Sequence, residues 1–538
     1  MKVKILKNES WRFFFFVESG QNYVFDCFTN KIYALNNELT ELLENQRYLF
    51  IKIKYPDFYN KILKYQEVKP RRTNKKNERC IATINFSNNC NLNCKYCYRN
   101  KNDKNKMAKE DLESLVRFIK YDFMPEAADY CFSLCYTSES SLDLDYLLFF
   151  DSLIAKYEGY LFSKDKFSNN QITEIFNWLP IEIKNKYKIK SNYEILQTIN
   201  QILQNEKLWK YFDYSKNSYL CELLKNSNEL SLSKTVIANR QIIDDNFKLF
   251  NTKEKIKYMS MSFMTNATNI TDEYIQFLKN SYVPSIFVSI DGKMDNHDLN
   301  RIYKNGKGSF SDVVNGIKKL QENGIKVKLS VVLTPGNTDV YEIVNYLLSL
   351  NVEQIGIVIS RGSNFETSFS EDSINKIIKS LSKIYEVVFN EIKNERYKFF
   401  PVLKKNVWFT KVFDIYAHKI VSSRCNWGTE IIIDSQGNFY HCNSTIGNEK
   451  DLLGNWKKSI DENKLWHNKN VNDYESCKKC WTKYLCGGTC YAEELNEHQN
   501  NLNMECYYRK EFMKLVILFY AKLKRNNLVE KFVQEFLR

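Results

Sequence analysis

The segment NNCNLNCKYCYRN, residues 88–100, decides the fold, because it follows a strand-like run at residues 81–86 and places three cysteines in the next loop. The intervals between Cys90, Cys94 and Cys97 are three and two residues. Thiolates are the usual ligands of a [4Fe–4S] cluster, and three of them leave one iron open to a ligand that is not protein. A zinc knuckle is the alternative, but zinc would need a fourth nearby Cys or His.

Strand and helix patterns alternate on the C-terminal side of this loop. We predict strands at residues 130–136, 258–265, 285–291, 325–333 and 355–360, and helices at residues 109–123, 145–157 and 312–322. Such alternation is typical of a parallel sheet with helices outside it. The sequence therefore predicts an α/β protein built on an open or partial barrel.

The cysteine triplet resembles the signature of the radical S-adenosylmethionine (SAM) superfamily. The resemblance implies a partial (β/α)6 barrel in which the open iron chelates SAM, and one electron then releases a 5′-deoxyadenosyl radical. The segments SIFVSIDG, HDLNRIYKNGKGSF and TNAT resemble family segments that face the cofactor. At residues 136–142, however, YTSESSL stands where the family has Gly-Gly-Glu-Pro. By this resemblance the residues that contact SAM are Tyr96, Ser138, Glu139, Asn266, Ser289, Asp291 and Arg301. No general acid or base is identifiable.

A second set of cysteines lies toward the C-terminus, in an arrangement that resembles the SPASM extension of radical SAM peptide maturases, including its glycine at Gly437. The resemblance implies one auxiliary cluster held by Cys477, Cys480, Cys486 and Cys506. It implies another held by Cys425, Cys442 and Cys490, with an open iron or a non-protein ligand. The chain would then hold three [4Fe–4S] clusters. A zinc ribbon over residues 477–490 is the alternative.

The first residues suggest a separate small unit. Residues 3–35 contain strand-like runs, and a helix follows that Asn36 or Asn37 would cap, with Leu39, Leu42, Leu43 and Leu49 on one side. The stretch YVFDCFTNKIYALNNELTELL resembles the PqqD-type winged-helix domain, which recognises leader peptides. Nucleic-acid binding is the alternative for a winged helix, but residues 38–49 carry one Arg against three Glu.

Five regions follow from these patterns. Residues 1–70 would form the peptide-recognition domain, residues 71–161 and 251–400 the barrel, residues 162–250 a helical insertion and residues 401–506 the auxiliary-cluster domain. Residues 507–538 would form a helical tail, in which the stripe of Phe512, Leu515, Phe519 and Leu523 indicates core packing.

Composition limits the class of protein. A hydrophobic content of 43% supports globular cores, and the formal charge of +14 identifies no partner by itself. The N-terminus lacks the pattern of a signal peptide, and no run approaches the about 18 apolar residues that span a bilayer. We therefore expect a cytoplasmic location, where clustered cysteines indicate metal or redox chemistry.

These observations predict a radical SAM peptide maturase that installs a thioether or carbon–carbon crosslink in a ribosomally made precursor peptide. The expected partners are a precursor peptide with a leader sequence and an electron donor such as flavodoxin or ferredoxin, with no nucleic acid and no membrane. One alternative is formylglycine formation as in anaerobic sulfatase maturation, although Asn443 stands where those enzymes typically carry an aspartate. The other is a non-catalytic iron–sulfur scaffold.

Overall fold

This computed structural model describes residues 3–5, 12–64, 79–97, 105–158, 181–190, 258–360 and 368–538. Within these ranges residues 126, 128, 136, 187, 189, 282, 284, 426–429, 466–469 and 496–498 are not described. The predicted helical insertion lies outside the described residues except for residues 181–190, which include the helix Ile181–Lys186.

The N-terminal unit is an antiparallel sheet covered on one side by helices. Its strands pair in chain order as β1 (Val3–Ile5), β2 (Phe13–Glu18), β3 (Gln21–Asp26) and β4 (Lys31–Leu35). The helices Asn37–Glu44, Tyr48–Lys54 and Pro56–Phe58 follow, and a π-helical turn, Tyr59–Leu63, ends the unit. Asn36 caps the first helix as predicted, since its Oδ1 accepts a hydrogen bond from Leu39 N at 2.7 Å.

The prediction of one continuous helix over residues 38–49 is wrong. The chain leaves the helix at Asn45, and Gln46 adopts a φ of +54° before the next helix begins at Tyr48. Leu39 and Leu43 are buried as expected, but Leu49 is 68% exposed because it lies on the second helix. The left-handed residue at Gln46 redirects the helix and takes Leu49 out of the predicted stripe.

A parallel sheet forms the centre of the molecule. Its strands lie side by side in chain order, and every neighbouring pair is parallel: β5 (Arg79–Ile84), β6 (Asp129–Leu134), β7 (Tyr258–Thr265), β8 (Ile286–Ser289), β9 (Val327–Leu333) and β10 (Gln354–Ile359). The connecting helices are Lys109–Arg117, Leu144–Glu158, Asp272–Asn280, Met294–Asp298, Phe310–Glu322 and Val340–Leu348, and Glu371–Asn394 follows β10. Successive parallel strands joined by helices make the predicted α/β architecture, which is confirmed.

The C-terminal region extends this sheet. Strand β11 (Glu430–Ile433) pairs in parallel with β5, and β12 (Phe439–Tyr440) pairs with β11 through a turn in which Gly437 has a φ of +82°. A two-stranded ribbon follows, formed by β13 (Gly454–Asn455) and β14 (Ser459–Ile460). The helices of this region are Phe400–Leu403, Val407–Tyr416, Glu462–Leu465, Glu475–Lys478, Lys483–Cys486, Tyr491–Leu495, Gln499–Arg525 and Val529–Leu537.

The N-terminal sheet is buried on both faces. Phe13, Phe15, Val24 and Leu35 pack under the helices of the same unit, whereas Phe14, Phe16, Tyr23 and Phe25 join the main core of the protein. Burial of each aromatic side chain stabilises such a contact by about 1.5–3 kcal/mol. The alternation of faces along β2 and β3 therefore fixes the N-terminal unit against the C-terminal region.

The C-terminal helix packs as the sequence predicts. Phe512, Phe519 and Leu523 are buried, and Leu515 is half-buried. Among the described residues, no helix combines the length and apolar character needed to cross a membrane.

Candidate functional site

The loop that follows β5 brings its three cysteines together. Cys94 lies close enough to Cys90 and Cys97 for each to raise its pKa, although burial is the largest cause and takes the pKa of the Cys94 thiol to about 12. A thiol held in its neutral form by burial ionises readily only when a metal replaces the proton. Three neighbouring thiols with no fourth Cys in the loop fit the three-ligand cluster that the sequence predicts.

The backbone of this loop is pinned to the segment after β8. Asn93 N donates to the Ile302 carbonyl at 2.7 Å, and Lys95 N donates to the Asn300 carbonyl at 3.0 Å. The two acceptor residues, Asn300 and Ile302, lie on either side of Arg301 in the sequence. The cysteine loop and Arg301 therefore hold a fixed relative position.

Tyr96, Asp291 and Arg301 form a buried polar knot beside the cysteine loop. The Tyr96 hydroxyl donates to Asp291 Oδ2 at 2.5 Å, and Arg301 Nε donates to the same oxygen at 2.9 Å. Asp291 Oδ1 accepts from Val332 N at 2.9 Å, and the Asp291 side chain is fully buried. Only Nε of Arg301 is used by Asp291, so its terminal nitrogens are available to a second anion, which fits the carboxylate of SAM.

A neutral histidine, His297, is hydrogen-bonded to the residues that hold the polar knot in place. Asp291 N donates to His297 Nδ1 at 3.3 Å, His297 Nε2 lies 3.0 Å from Ser309 Oγ, and Ser309 Oγ donates to the Arg301 carbonyl at 2.7 Å. These directions require the proton on Nε2. Burial, with the Arg301 charge adding to it, lowers the pKa of His297 to about 3.

Asn266 connects the end of β7 to the cysteine loop. Its Nδ2 donates to Asn91 Oδ1 at 2.9 Å and lies 3.9 Å from Cys90 Sγ, while Asn91 Nδ2 donates to Thr268 Oγ1 at 2.8 Å. The predicted polar strand end therefore contacts the predicted cluster loop directly. It also places an amide donor against the Cys90 thiol, one of the predicted ligands, and such a contact would stabilise an ionised sulfur.

The segment that replaces Gly-Gly-Glu-Pro is a buried hydrogen-bonded corner. Glu139 accepts bonds from Thr265 Oγ1 at 2.5 Å, Asn266 N at 2.6 Å, Ser141 N at 3.1 Å and Ser141 Oγ at 2.9 Å. Burial raises the pKa of Glu139, and these donors oppose the rise. The carboxylate thus ties the end of β6 to the end of β7.

Ser138, the residue before Glu139, has a buried hydroxyl that makes no conventional hydrogen bond with the described residues, and its polar neighbour is the Cys135 thiol. The Ser138 hydroxyl is therefore enclosed by protein and faces the Cys135 thiol, whose pKa it lowers against the larger effect of burial. Ser289 is the last residue of β8, in register with Ser330 of β9, and it is half-buried.

The C-terminal cysteines form two groups. Cys477 has Cys486, Cys480 and Cys506 as electrostatic neighbours, and burial followed by Cys486 raises its pKa to about 12. Burial likewise raises the pKa of Cys506 to about 11. Cys477, Cys486 and Cys506 come from three helices and Cys480 from the segment between the first two, and these four thiols lie near one another. Within the described residues no set of three or more His, Cys, Asp and Glu side chains forms a site for a single metal ion.

The other three predicted ligands, Cys425, Cys442 and Cys490, are linked by contacts of the residues near them. Tyr474 lies near Cys425 and Cys490, both of which raise its pKa after the larger effect of burial. Residues adjacent to Cys442 and Cys490 also meet, because the rings of His441 and Tyr491 lie 5.5 Å apart in an edge-to-face contact.

A buried charged network beside Cys442 escaped the sequence analysis. His441 Nδ1 lies 2.6 Å from Asp451 Oδ1, its Nε2 lies 3.1 Å from the Lys464 carbonyl, and the Tyr491 hydroxyl donates to Asp451 Oδ1 at 2.8 Å. Burial alone would raise the pKa of Asp451, but hydrogen bonds from His441 and Thr445 lower it. Both ring nitrogens of His441 therefore face oxygen acceptors.

A second missed network joins Arg424, Glu505 and Arg509. Arg424 Nη1 and Glu505 form an ion pair, and Arg509 Nη2 lies 3.4 Å from Glu505 Oε1. The signal available in the sequence was adjacency: Arg424 precedes Cys425, and Glu505 precedes Cys506. His441 and Tyr491 are likewise next to predicted ligands.

Part of the central region is similar to a known protein family. Residues 233–347 match the family model described as the Radical SAM superfamily. This span includes β7, β8, β9 and the polar knot residues Asp291 and Arg301.

Two curated relatives are similar over about half of the chain. The radical SAM cyclopropyl synthase TigE of Paramaledivibacter caminithermalis is 23% identical over 317 residues, which is 57% of this chain. The chain covers only 63% of that relative's length. The cysteine-type anaerobic sulfatase-maturating enzyme of Clostridium perfringens is 22% identical over 289 residues, which is 49% of this chain and 75% of the relative.

Among solved structures, native anSMEcpe with bound AdoMet has a similar fold. The TM-score is 0.53 at 16% identity, and the match covers 83% of this chain and 99% of that chain. The similarity covers much more of the chain than the matched family segment, and it confirms the predicted fold class.

Proposed function

Because the chain is an enzyme of the radical SAM superfamily, we propose that it binds SAM at the β5 loop and crosslinks a ribosomally made precursor peptide. The product would contain a thioether or a carbon–carbon bond. The observation that carries the proposal is the hydrogen-bonded contact between the Cys90–Cys94–Cys97 loop and the knot of Tyr96, Asp291 and Arg301. It joins a three-thiol site to groups suited to an amino acid carboxylate.

The residues around the loop divide the task of holding SAM. Arg301 would present its terminal nitrogens to the carboxylate, Tyr96 would lie beside the adenine, and Ser289 would lie near the ribose. When bound to the reduced cluster, SAM supplies a 5′-deoxyadenosyl radical that removes a hydrogen atom from an unactivated carbon. Asp291 and His297 keep Arg301 in place, so the radical would form in one position.

The C-terminal region supplies the electron acceptor in this proposal. Both crosslinks remove a second electron and a proton from the substrate after the first hydrogen atom has left. Two auxiliary [4Fe–4S] clusters, one held by Cys477, Cys480, Cys486 and Cys506 and one by Cys425, Cys442 and Cys490, would take that electron. A flavodoxin or ferredoxin would reduce the first cluster.

The N-terminal unit is suited to hold a leader peptide. Within the described residues β4 pairs with β3 alone, and the leader peptide would add as a strand beside β4, next to Tyr33 and Phe58, whose rings meet edge to face. The unit contacts the segment that carries the predicted auxiliary-cluster cysteines, because Phe14 stacks on Trp481, the residue after Cys480, with ring centroids 4.4 Å apart. A leader bound there would be held close to the predicted clusters.

Formylglycine formation is the second candidate, and the similarity to sulfatase-maturating enzymes favours it. Asn443 argues against it, since its side-chain oxygen accepts a hydrogen bond from Asn85 Nδ2 at 2.8 Å. An amide cannot take a proton at neutral pH, so the general base expected at this position is missing.

The test uses the full chain, reconstituted with iron and sulfide and reduced in the presence of SAM. We expect 5′-deoxyadenosine, with a precursor peptide that loses two hydrogen atoms. Cys94→Ala removes both products, whereas Cys131→Ala, a matched cysteine outside the predicted ligand set, leaves them unchanged. A peptide aldehyde in place of the crosslink would establish the second candidate, and absence of 5′-deoxyadenosine would support a non-catalytic scaffold.

A further inference from the structure

Arg509 contacts one of the predicted auxiliary-cluster ligands. It lies on the helix Gln499–Arg525 one turn after Cys506, and its side chain is 12% exposed. Its Nη1 is 3.8 Å from Cys486 Sγ, while Nε and Nη2 each lie 3.4 Å from Glu505 Oε1. The guanidinium thus bridges a thiol and a carboxylate in a buried position.

The charges that surround Cys486 are predominantly positive. Lys411 is buried and donates to Asp414 Oδ2 at 2.9 Å, and it is an electrostatic neighbour of both Cys486 and Arg509. Glu505 is shared with a second guanidinium, that of Arg424. The mostly buried cations are Lys411, Arg424 and Arg509, and the carboxylates that pair with them are Asp414 and Glu505. Three positive charges against two negative charges leave a net positive charge near Cys486 Sγ.

A net positive charge buried beside an iron–sulfur cluster changes the reduction potential of the cluster. Reduction adds one negative charge to a cluster, and in a low-dielectric site a nearby cation and an N–H···S hydrogen bond stabilise the more negative state. Such contacts with ligand sulfurs are a main means by which proteins set reduction potentials.

We propose that Arg509 is a positioning residue that raises the reduction potential of the cluster held by Cys477, Cys480, Cys486 and Cys506. This inference rests on the ligand set of the proposed function. It assigns that cluster the role of accepting an electron from the substrate, because a higher potential favours electron transfer toward the cluster. Glu505 limits the effect by neutralising part of the guanidinium charge, and Arg424 restores it.

The test is a redox titration of the reconstituted full chain, followed by electron paramagnetic resonance. The signal of this cluster is first assigned as the one lost in Cys477→Ala. In Arg509→Met, which removes the charge and keeps an unbranched apolar side chain, we expect a more negative midpoint. The reduced-to-oxidised ratio at a fixed potential should fall about tenfold, which is 59 mV for one electron. Arg509→Lys keeps the charge and should lie closer to the wild type.

The matched control is Arg525→Met on the same helix, whose guanidinium is 45% exposed and pairs with Glu18. It should leave the midpoint unchanged. A purely structural role of Arg509 would lower the iron content of the variants while the remaining clusters titrate at the wild-type potential, and this result would overturn the inference. If Cys477→Ala removes no iron and no signal, the ligand set of the proposed function fails as well.

Discussion

The role of the Asp291 charge in the polar knot can be tested by a substitution that keeps the shape of the side chain. Asp291→Asn keeps the Oδ1 acceptor for Val332 N, but it turns an amide NH2 toward Arg301 Nε and the Tyr96 hydroxyl, which lie 2.9 Å and 2.5 Å from the carboxylate oxygen. Arg301 is left as a buried cation without its counter-ion, since the Asp291 and Arg301 side chains are 0% and 8% exposed.

The expected loss of unfolding free energy follows from the burial of the Asp291–Arg301 ion pair. Removing one partner of a buried ion pair costs about 3–5 kcal/mol, and the two charge-assisted hydrogen bonds that are lost account for about 1.5–3 kcal/mol each. We therefore expect Asp291→Asn to lower the free energy of unfolding by about 3–5 kcal/mol, and SAM binding to weaken because Arg301 loses its orientation.

The assay is urea unfolding followed by far-UV circular dichroism, together with equilibrium binding of SAM. Asp295→Asn is the control, because Asp295 is an exposed carboxylate only four residues away and its loss should change stability by less than about 0.5 kcal/mol. If Asp291→Asn unfolds at the same urea concentration as Asp295→Asn, the knot does not have the role that we assign to it.

Two further predictions concern buried polar groups. Because the pKa of His297 is lowered to about 3 in the folded state from an ordinary value of 6.5, its contribution to stability is complete above pH 6.5 and is lost as the pH falls toward 3. Wild-type unfolding free energy should drop by about 2 kcal/mol more than that of His297→Gln between pH 7 and pH 5, measured by urea titration at each pH. Asn30 Nδ2 donates to the carbonyls of Lys419 and Tyr484 at 2.7 Å and 2.9 Å, and its φ is +50°. Asn30→Gly tolerates that φ but loses both hydrogen bonds, at a cost of about 1–3 kcal/mol each. Amide hydrogen exchange in β2 and β3 should therefore accelerate. Unchanged exchange would show that these two bonds do not hold the N-terminal unit in place.

The sequence was sufficient to predict the elements whose patterns are local. Strand β7 has the predicted bounds, Tyr258–Thr265, and most of the other predicted barrel strands differ by one or two residues at their ends. Apolar runs followed by helical periodicity specify a buried parallel strand regardless of distant partners. The proximity of Cys477, Cys480, Cys486 and Cys506 was implied by the resemblance of the C-terminal cysteine pattern to the SPASM extension.

Features that depend on distant partners were not predictable. The stacking of Phe14 on Trp481 joins positions separated by most of the chain, and no local pattern specifies which aromatic residue covers another. The helix break at Gln46 has neither Gly nor Pro to mark it. His297 and Arg509 look like ordinary helical residues in the sequence, and only burial and their hydrogen-bond partners give them a role.

The central claim, that this chain uses cysteine thiolates to hold iron–sulfur clusters and one of them to cleave SAM, is tested most directly by iron and sulfide content after anaerobic reconstitution. We predict about twelve irons per chain, four for each cluster, and a loss of about four in a variant in which Cys90, Cys94 and Cys97 are replaced by alanine. The same variant should lose all SAM cleavage. A colourless wild-type protein without iron or sulfide, or a variant with undiminished iron content, would contradict the account.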